Sequence, residues 1–215
     1  NINIGTLNNR TIEAMYEAGK ISNKLNHPII LDPVGAGASK LRTETAKGLL
    51  DKVQFSVIRG NISEIKALAL GDTTTKGVDA NIADKVTDET VDNVIEFVKK
   101  FAAKTDATVV ITGETDIIAD KDVAYIVKNG HPIMSKITGS GCMLSAITGA
   151  FIGANSNNIT EAVLSAVCVM GVCGERAFAR LKKEEGNATF RTYLIDELYN
   201  IDEKILGENA KYEMR

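Results

Sequence analysis

A short apolar run that stops at a polar residue or a glycine, followed by enough chain for a helix, recurs through this sequence. Residues 1–4 (NINI) lead into a segment from about Leu7 to Asn26, where Ile12, Met15, Ile21 and Leu25 mark a rough helical stripe. Residues 28–32 (PIILD) fit a buried strand that ends in the loop PVGAGAS, with a helix expected from about Leu41 to Lys52. FSVIR (55–59) is the next strand, ahead of a helix from Ile62 to Leu70. The polar stretch GDTTTKGVDAN (71–81) reads as a loop with some mobility. A helix from about Asp88 to Lys104 precedes the strand TVVIT (108–112). DIIA and VAYIV then read as a hairpin around Asp120–Asp122. After Asn129-Gly130 three helices are expected, with little strand signal. Such alternation predicts an α/β domain with a central, mostly parallel sheet and helices on both faces.

At 215 residues the chain fits one domain with a sizeable core. A net charge of −3, with no basic block, argues against a nucleic-acid surface. The three cysteines, at 142, 168 and 173, sit in helical surroundings and suggest no disulfide scaffold, so a reducing cytoplasm is the expected compartment. The apolar stretch Ala162 to Gly174 is too short to span a bilayer, and no membrane role is expected. No signal peptide is recognisable. The chain opens at Asn1 as if inside a strand, so its natural beginning is expected to lie ahead of it.

In open α/β sheets, ligands bind beyond the carboxyl ends of the strands. Four polar signals fall there. Asp32 closes PIILD; Arg59-Gly60-Asn61 closes FSVIR, with Glu64 one turn into the next helix; Thr112-Gly113 closes TVVIT; and Thr138 to Cys142 precedes the last helical run. Each has a plainer reading. Asp32 before Pro33 suits a turn. Asn61-x-x-Glu64 fits a capping box. Thr112-Gly113 is ordinary punctuation, and Arg59 is a charge at a loop. His27 and His131 both precede prolines and receive no chemistry. Cys168 and Cys173, five residues apart on one apolar helix, read as buried small hydrophobes. TGSGC (138–142) is the stronger signal, because small residues at a helix start let backbone N–H groups converge on an anion at the positive end of the helix dipole. A tight turn into a packed helix competes with it evenly. The spacing of a P-loop is absent, as is any G-x-G-x-x-G fingerprint.

Taken in order, LDPVGAGAS (31–39), RGNISEI (59–65), VVITGETD (109–116) and ITGSGCMLSA (137–146) resemble hydroxyethylthiazole kinases of the ribokinase-like superfamily, over essentially the whole chain. The resemblance implies a single three-layer α/β/α kinase domain over residues 1–215, lacking an N-terminal strand and helix region that contributes to the thiazole pocket. It implies phosphorylation of the hydroxyl of 4-methyl-5-(2-hydroxyethyl)thiazole by ATP in thiamine biosynthesis or salvage. It also implies a cytoplasmic homotrimer with active sites between subunits. Helices around Ala162–Leu181, which carry more small apolar surface than a lone domain needs, fit that assembly.

Carried over by position, the resemblance makes Gly139, Ser140 and Gly141 the anion hole for the transferring phosphoryl group. Arg59 and Thr112 contact ATP, and Asp32 and Glu64 hold Mg²⁺ directly or through water, with Asn61 in the same acidic motif. Gly139 also lies against the thiazole alcohol. Cys142 takes the place where the superfamily usually has an aspartate base. Phosphoryl transfer depends mainly on positioning and charge stabilisation, so a mediocre base is tolerable there. Two other readings stay open. One is a ribokinase-fold dehydratase, ATP- or ADP-dependent, that repairs hydrated nicotinamide nucleotides; Cys142 and the RGNISE form speak against it. The other is a nucleotide-binding regulator without turnover.

Overall fold

A computed structural model describes residues 1–70, 86–87 and 89–215. The loop expected at 71–81 and the expected helix start at Asp88 lie outside the described residues. The elements run β1 (Ile2–Asn3), α1 (Asn9–Lys24), β2 (Ile30–Asp32), α2 (Lys40–Lys52), β3 (Val57–Asn61), α3 (Ile62–Ala69), α4 (Val91–Thr105), β4 (Thr108–Thr112), β5 (Asp116–Ala119), β6 (Ala124–Val127), a 3-10 turn (Pro132–Lys136), α5 (Ser140–Ala154), α6 (Ile159–Ala179), α7 (Asn187–Asn200), α8 (Glu203–Asn209) and β7 (Tyr212–Met214). The expected capping box of Asn61 with Glu64 is present, and Asn8 with Thr11 forms a second, while Ser39 and Asp202 cap α2 and α8.

The strands lie side by side in chain order, β1 to β7. β1 to β4 are mutually parallel, while β5, β6 and β7 each run antiparallel to the strand before. The sheet is therefore mixed, and the antiparallel part is the expected hairpin around Asp120–Asp122 plus one further strand. Parallel neighbours laid down in order need right-handed crossovers, which return every helix to the same face. Accordingly α1 to α4 share one apolar core with Leu31, Ile58, Val109, Ile111 and Ile117. Residues one step along each strand, Ile30, Val57, Val110 and Ile118, enter a second core under α5, α6 and α7. Strand period two thus divides the two cores cleanly.

Three expectations change. The region after Asn129-Gly130 holds four α-helices, and it ends in β7, whose pairing Tyr125↔Met214 completes the sheet edge. Tyr212, Glu213 and Met214 are all exposed, so no apolar alternation announces that strand; backbone pairing with β6 creates it. The α1 stripe is only partly buried: Ile12 and Met15 are half-buried, but Ile21 and Leu25 are exposed. Gly19 is instead the buried residue of α1, packed so near Val53 that a Cβ there would collide with it. Finally, α6 buries its small apolar residues inside its own domain, between α5, α7 and the sheet, so they are not surplus surface. That helix is long and apolar enough to cross a membrane by length and composition, yet 72% of its apolar window is buried in the fold.

Candidate active site

The alternation that divides the cores also aims four strand-end polar residues the same way. Asn3 lies between Ile2 and Ile4, Asp32 follows Leu31, Arg59 follows Ile58 and Thr112 follows Ile111, and all five apolar neighbours belong to the α1–α4 core. The polar side chains consequently point to the opposite face, at the carboxyl edge, where α5 begins. In-register pairing sets Asn3 beside Asp32 and Asn61 beside Thr112.

Asp32 is the hub. Its Oδ2 accepts from Asn3 Nδ2 and from Ser145 Oγ, both at 2.8 Å, and its Oδ1 lies 3.2 Å from Arg59 Nη1. Arg59 also donates to Ser145 Oγ at 3.4 Å and to Thr112 Oγ1 at 3.2 Å. With Asp32 1% and Arg59 9% exposed, neither charge could be left unpaired at this depth. The pairing is incomplete: among the described residues, Asp32 Oδ1 and Arg59 Nε have no hydrogen-bond partner. The guanidinium lies close against Gly141, where a Cβ would come within 3.1 Å of Nη2.

Glu64 serves two backbones. Its Oε1 accepts from Gly35 N at 2.8 Å, holding the PVGAGAS loop, and its Oε2 accepts from Asn61 N at 2.8 Å in the capping box. Gly35 has φ of 74°, a conformation that favours glycine. The plainer reading of Asn61-x-x-Glu64 is therefore correct as far as it goes. Each carboxylate oxygen keeps a further lone pair for other work.

α5 opens on Gly139 at φ 98°, and no side chain caps it. Its first intrahelical bond is Met143 N–H to Gly139 O at 2.9 Å. The N–H groups of Ser140, Gly141 and Cys142 stand before that point, as orphan donors at the positive end of the dipole. A Cβ at Gly139 would meet nothing within 4 Å, so backbone conformation, not space, demands glycine there. Cys142 is exposed, and Asn3 Nδ2 lies 3.6 Å from its Sγ.

The structure thus gathers Asp32, Arg59, Thr112, Gly141 and Cys142 into one contact network, while Glu64 braces the loop after β2 and the end of β3. Three neighbours escaped the sequence reading. Asn3 carried a usable signal, a polar residue between two core isoleucines on the face Asp32 uses. Ser145, one turn beyond Cys142, had no such mark. Asp116, in the TGETD stretch, accepts from Gly113 N at 2.8 Å. Desolvation pushes its carboxyl up to about 7, against the pull of that N–H and of the Arg59 charge. Cys168 and Cys173 are buried as expected, and burial pushes their thiols up to about 11 and about 12.

Comparison with known proteins sets this arrangement in a class. A pyridoxal kinase from Staphylococcus aureus, solved with AMP-PCP and pyridoxal, superposes at a TM-score of 0.57 with 18% identity, over 98% of this chain and 69% of its own. That likeness concerns the fold, which is the ribokinase-like α/β/α sandwich. The profile of the Hydroxyethylthiazole kinase family matches residues 1–204, and the chain belongs to that family. A hydroxyethylthiazole kinase of Clostridium acetobutylicum is 61% identical over 213 residues, 99% of this chain and 78% of that one. The solved hydroxyethylthiazole kinase protein from Pyrococcus horikoshii OT3 superposes at a TM-score of 0.84 with 32% identity, over 100% of this chain and 76% of its own.

Proposed function

We propose that the protein transfers the γ-phosphoryl group of ATP to the hydroxyl of hydroxyethylthiazole, giving the thiazole phosphate and ADP, in thiamine biosynthesis or salvage. The observation that carries the reading is the uncapped N-terminus of α5, set beside a buried arginine at the carboxyl edge of the sheet in a chain of this family. The relatives at 61% and 32% identity favour this reading over the dehydratase alternative.

In this mechanism the N–H groups of residues 139–141 receive the charge on the transferring phosphoryl oxygens, with no side-chain reorganisation. Arg59, already held by Asp32 and Thr112, presents its remaining donor surface to the phosphates. Cys142 takes the hydroxyl proton while the alcohol oxygen bonds to phosphorus and the bridging oxygen leaves with ADP. Gly139 lies against the alcohol.

The donor set suits Mg²⁺ brought in on the nucleotide. Asp32 Oδ1, a hard oxygen in an ion pair with Arg59, has no hydrogen-bond partner among the described residues, and Glu64 keeps spare lone pairs. When bound, the ion neutralises phosphate charge. Glu64→Gln is expected to raise the Mg²⁺ concentration needed for half-maximal rate, and also to lower the melting temperature, because one amide oxygen cannot serve both the Gly35 and the Asn61 N–H. Lower stability with an unchanged Mg²⁺ requirement would leave Glu64 a cap only.

The proposed setting is a cytoplasmic homotrimer with sites between subunits. Ile21, Leu25 and Leu41 on one layer, and Phe178, Ile195 and Tyr199 on the other, are exposed apolar groups that an assembly could cover. A coupled ADP-release assay tests the activity, and light scattering of the same sample tests the assembly. ADP should appear with hydroxyethylthiazole, vanish with chelator and return with Mg²⁺. Absence of ADP with every alcohol tried would point to a regulator without turnover, and a fully active monomer would remove the shared site.

A further inference from the structure

Asn3, the last residue of β1, commits every hydrogen-bonding atom of its amide. Gly5 N–H donates to its Oδ1 at 2.8 Å, which fixes the two ends of the amide. Both N–H groups of Nδ2 are then free to donate, and they point to Asp32 Oδ2 at 2.8 Å and Cys142 Sγ at 3.6 Å. Among the described residues, Asn3 is the one side chain hydrogen-bonded to Cys142. The bond reaches across 139 residues of chain, from the first strand to the first turn of α5.

We infer that Asn3 is a positioning residue for phosphoryl transfer: it locks the Cys142 side chain in one rotamer and ties it to the buried Asp32–Arg59 pair. The inference rests on Cys142 acting as the base. An exposed cysteine at a helix start can choose among staggered rotamers, and an N–H aimed at its sulfur selects one. Asp32 in turn orients the amide, and Ser145 keeps Asp32 in place from the other side. Sulfur, amide and carboxylate so form a chain in which the outer group is set by the inner one. Nothing in it requires Asn3 to touch either substrate.

The test is a cycle of Asn3→Ser and Cys142→Ala, alone and together. A serine hydroxyl still accepts from Gly5 N–H in the turn but is too short to reach the sulfur. Asn3→Ser is expected to lower kcat roughly tenfold to a hundredfold, with KM for ATP within about twofold. In the Cys142→Ala background the same exchange should change kcat by less than about threefold, since its target is gone. Equal losses in both backgrounds would overturn the inference and leave Asn3 a support for the strand end. A Cys142→Ala enzyme as fast as the wild type would overturn the base and Asn3's role together. Should Asn3→Ser melt too low to assay, Asn3→Asp keeps the size and the turn acceptor while replacing both donors. Wild-type kcat in folded Asn3→Asp would also overturn the inference.

Discussion

Arg59→Met is expected to lower the melting temperature by roughly 10 °C and to abolish measurable turnover. Arg59 and Asp32 are buried against each other, with their side chains 11% and 1% exposed and Nη1 3.2 Å from Oδ1. Removing one partner of such a pair leaves a buried, uncompensated charge, which costs roughly 3–5 kcal/mol. That is a large share of the 5–15 kcal/mol, roughly, that holds a domain folded. At roughly 2–4 °C per kcal/mol for a chain of this size, the shift should be plain in a thermal scan. Arg59→Lys separates the two roles. A lysine can answer the Asp32 charge, but it lacks the planar fork that reaches Thr112, Ser145 and phosphate at once. It should keep most of the melting temperature and lose kcat/KM for ATP by roughly a hundredfold. Full activity in Arg59→Lys would reduce Arg59 to a structural counter-ion.

Replacing Cys142 gives the second large effect, and it differs by substituent. Cys142→Ala and Cys142→Ser supply no usable base, so kcat should fall by roughly a hundredfold, the lower end of what positioned bases contribute. Some turnover should survive, because the α5 N–H groups and Arg59 remain. KM for ATP should change little for the same reason. Cys142→Asp should keep activity or raise it. Its carboxylate is ionised at neutral pH, suits the positive end of α5, and can accept the Asn3 N–H that now points at sulfur. A covalent role predicts the opposite: label from γ-phosphate trapped on Cys142, and an inactive aspartate variant unless a phosphoaspartate replaces it. Detection of phosphocysteine during turnover would sink the base assignment.

How much of this was legible before the structure depended on whether the determinant was local. β1 to β4 show themselves because each is a short apolar run with a polar stop, and parallel order with right-handed crossovers follows from that pattern. The edge strand Tyr212–Met214 does not, since its side chains are exposed and its cause is a partner strand 85 or more residues earlier. Site residues divide the same way. Asp32, Arg59, Thr112 and the small residues of 139–141 sit at strand or helix ends, where position alone suggests a role. That Arg59 bonds to Asp32 needed the register of β2 against β3, and that Ser145 completes the pair needed α5 docked on the sheet. Ile21 and Leu25 erred in the other direction: a helical stripe shows that a face is apolar, but not that this chain covers it.

The two layers of helices are built from opposite halves of the chain, and polar side chains of the sheet and of α5 meet along the carboxyl edge. Ser145 meets Asp32 across 113 residues and Arg59 across 86. Contacts this distant in sequence close late, because loop entropy is spent before they form. Until α5 docks, Asp32 and Arg59 lie on an uncovered sheet face, and the orphan N–H groups of α5 face nothing. A half-folded chain therefore carries the Asp32–Arg59 pair on one side and the open start of α5 on the other, and docking of α5 is what brings them together.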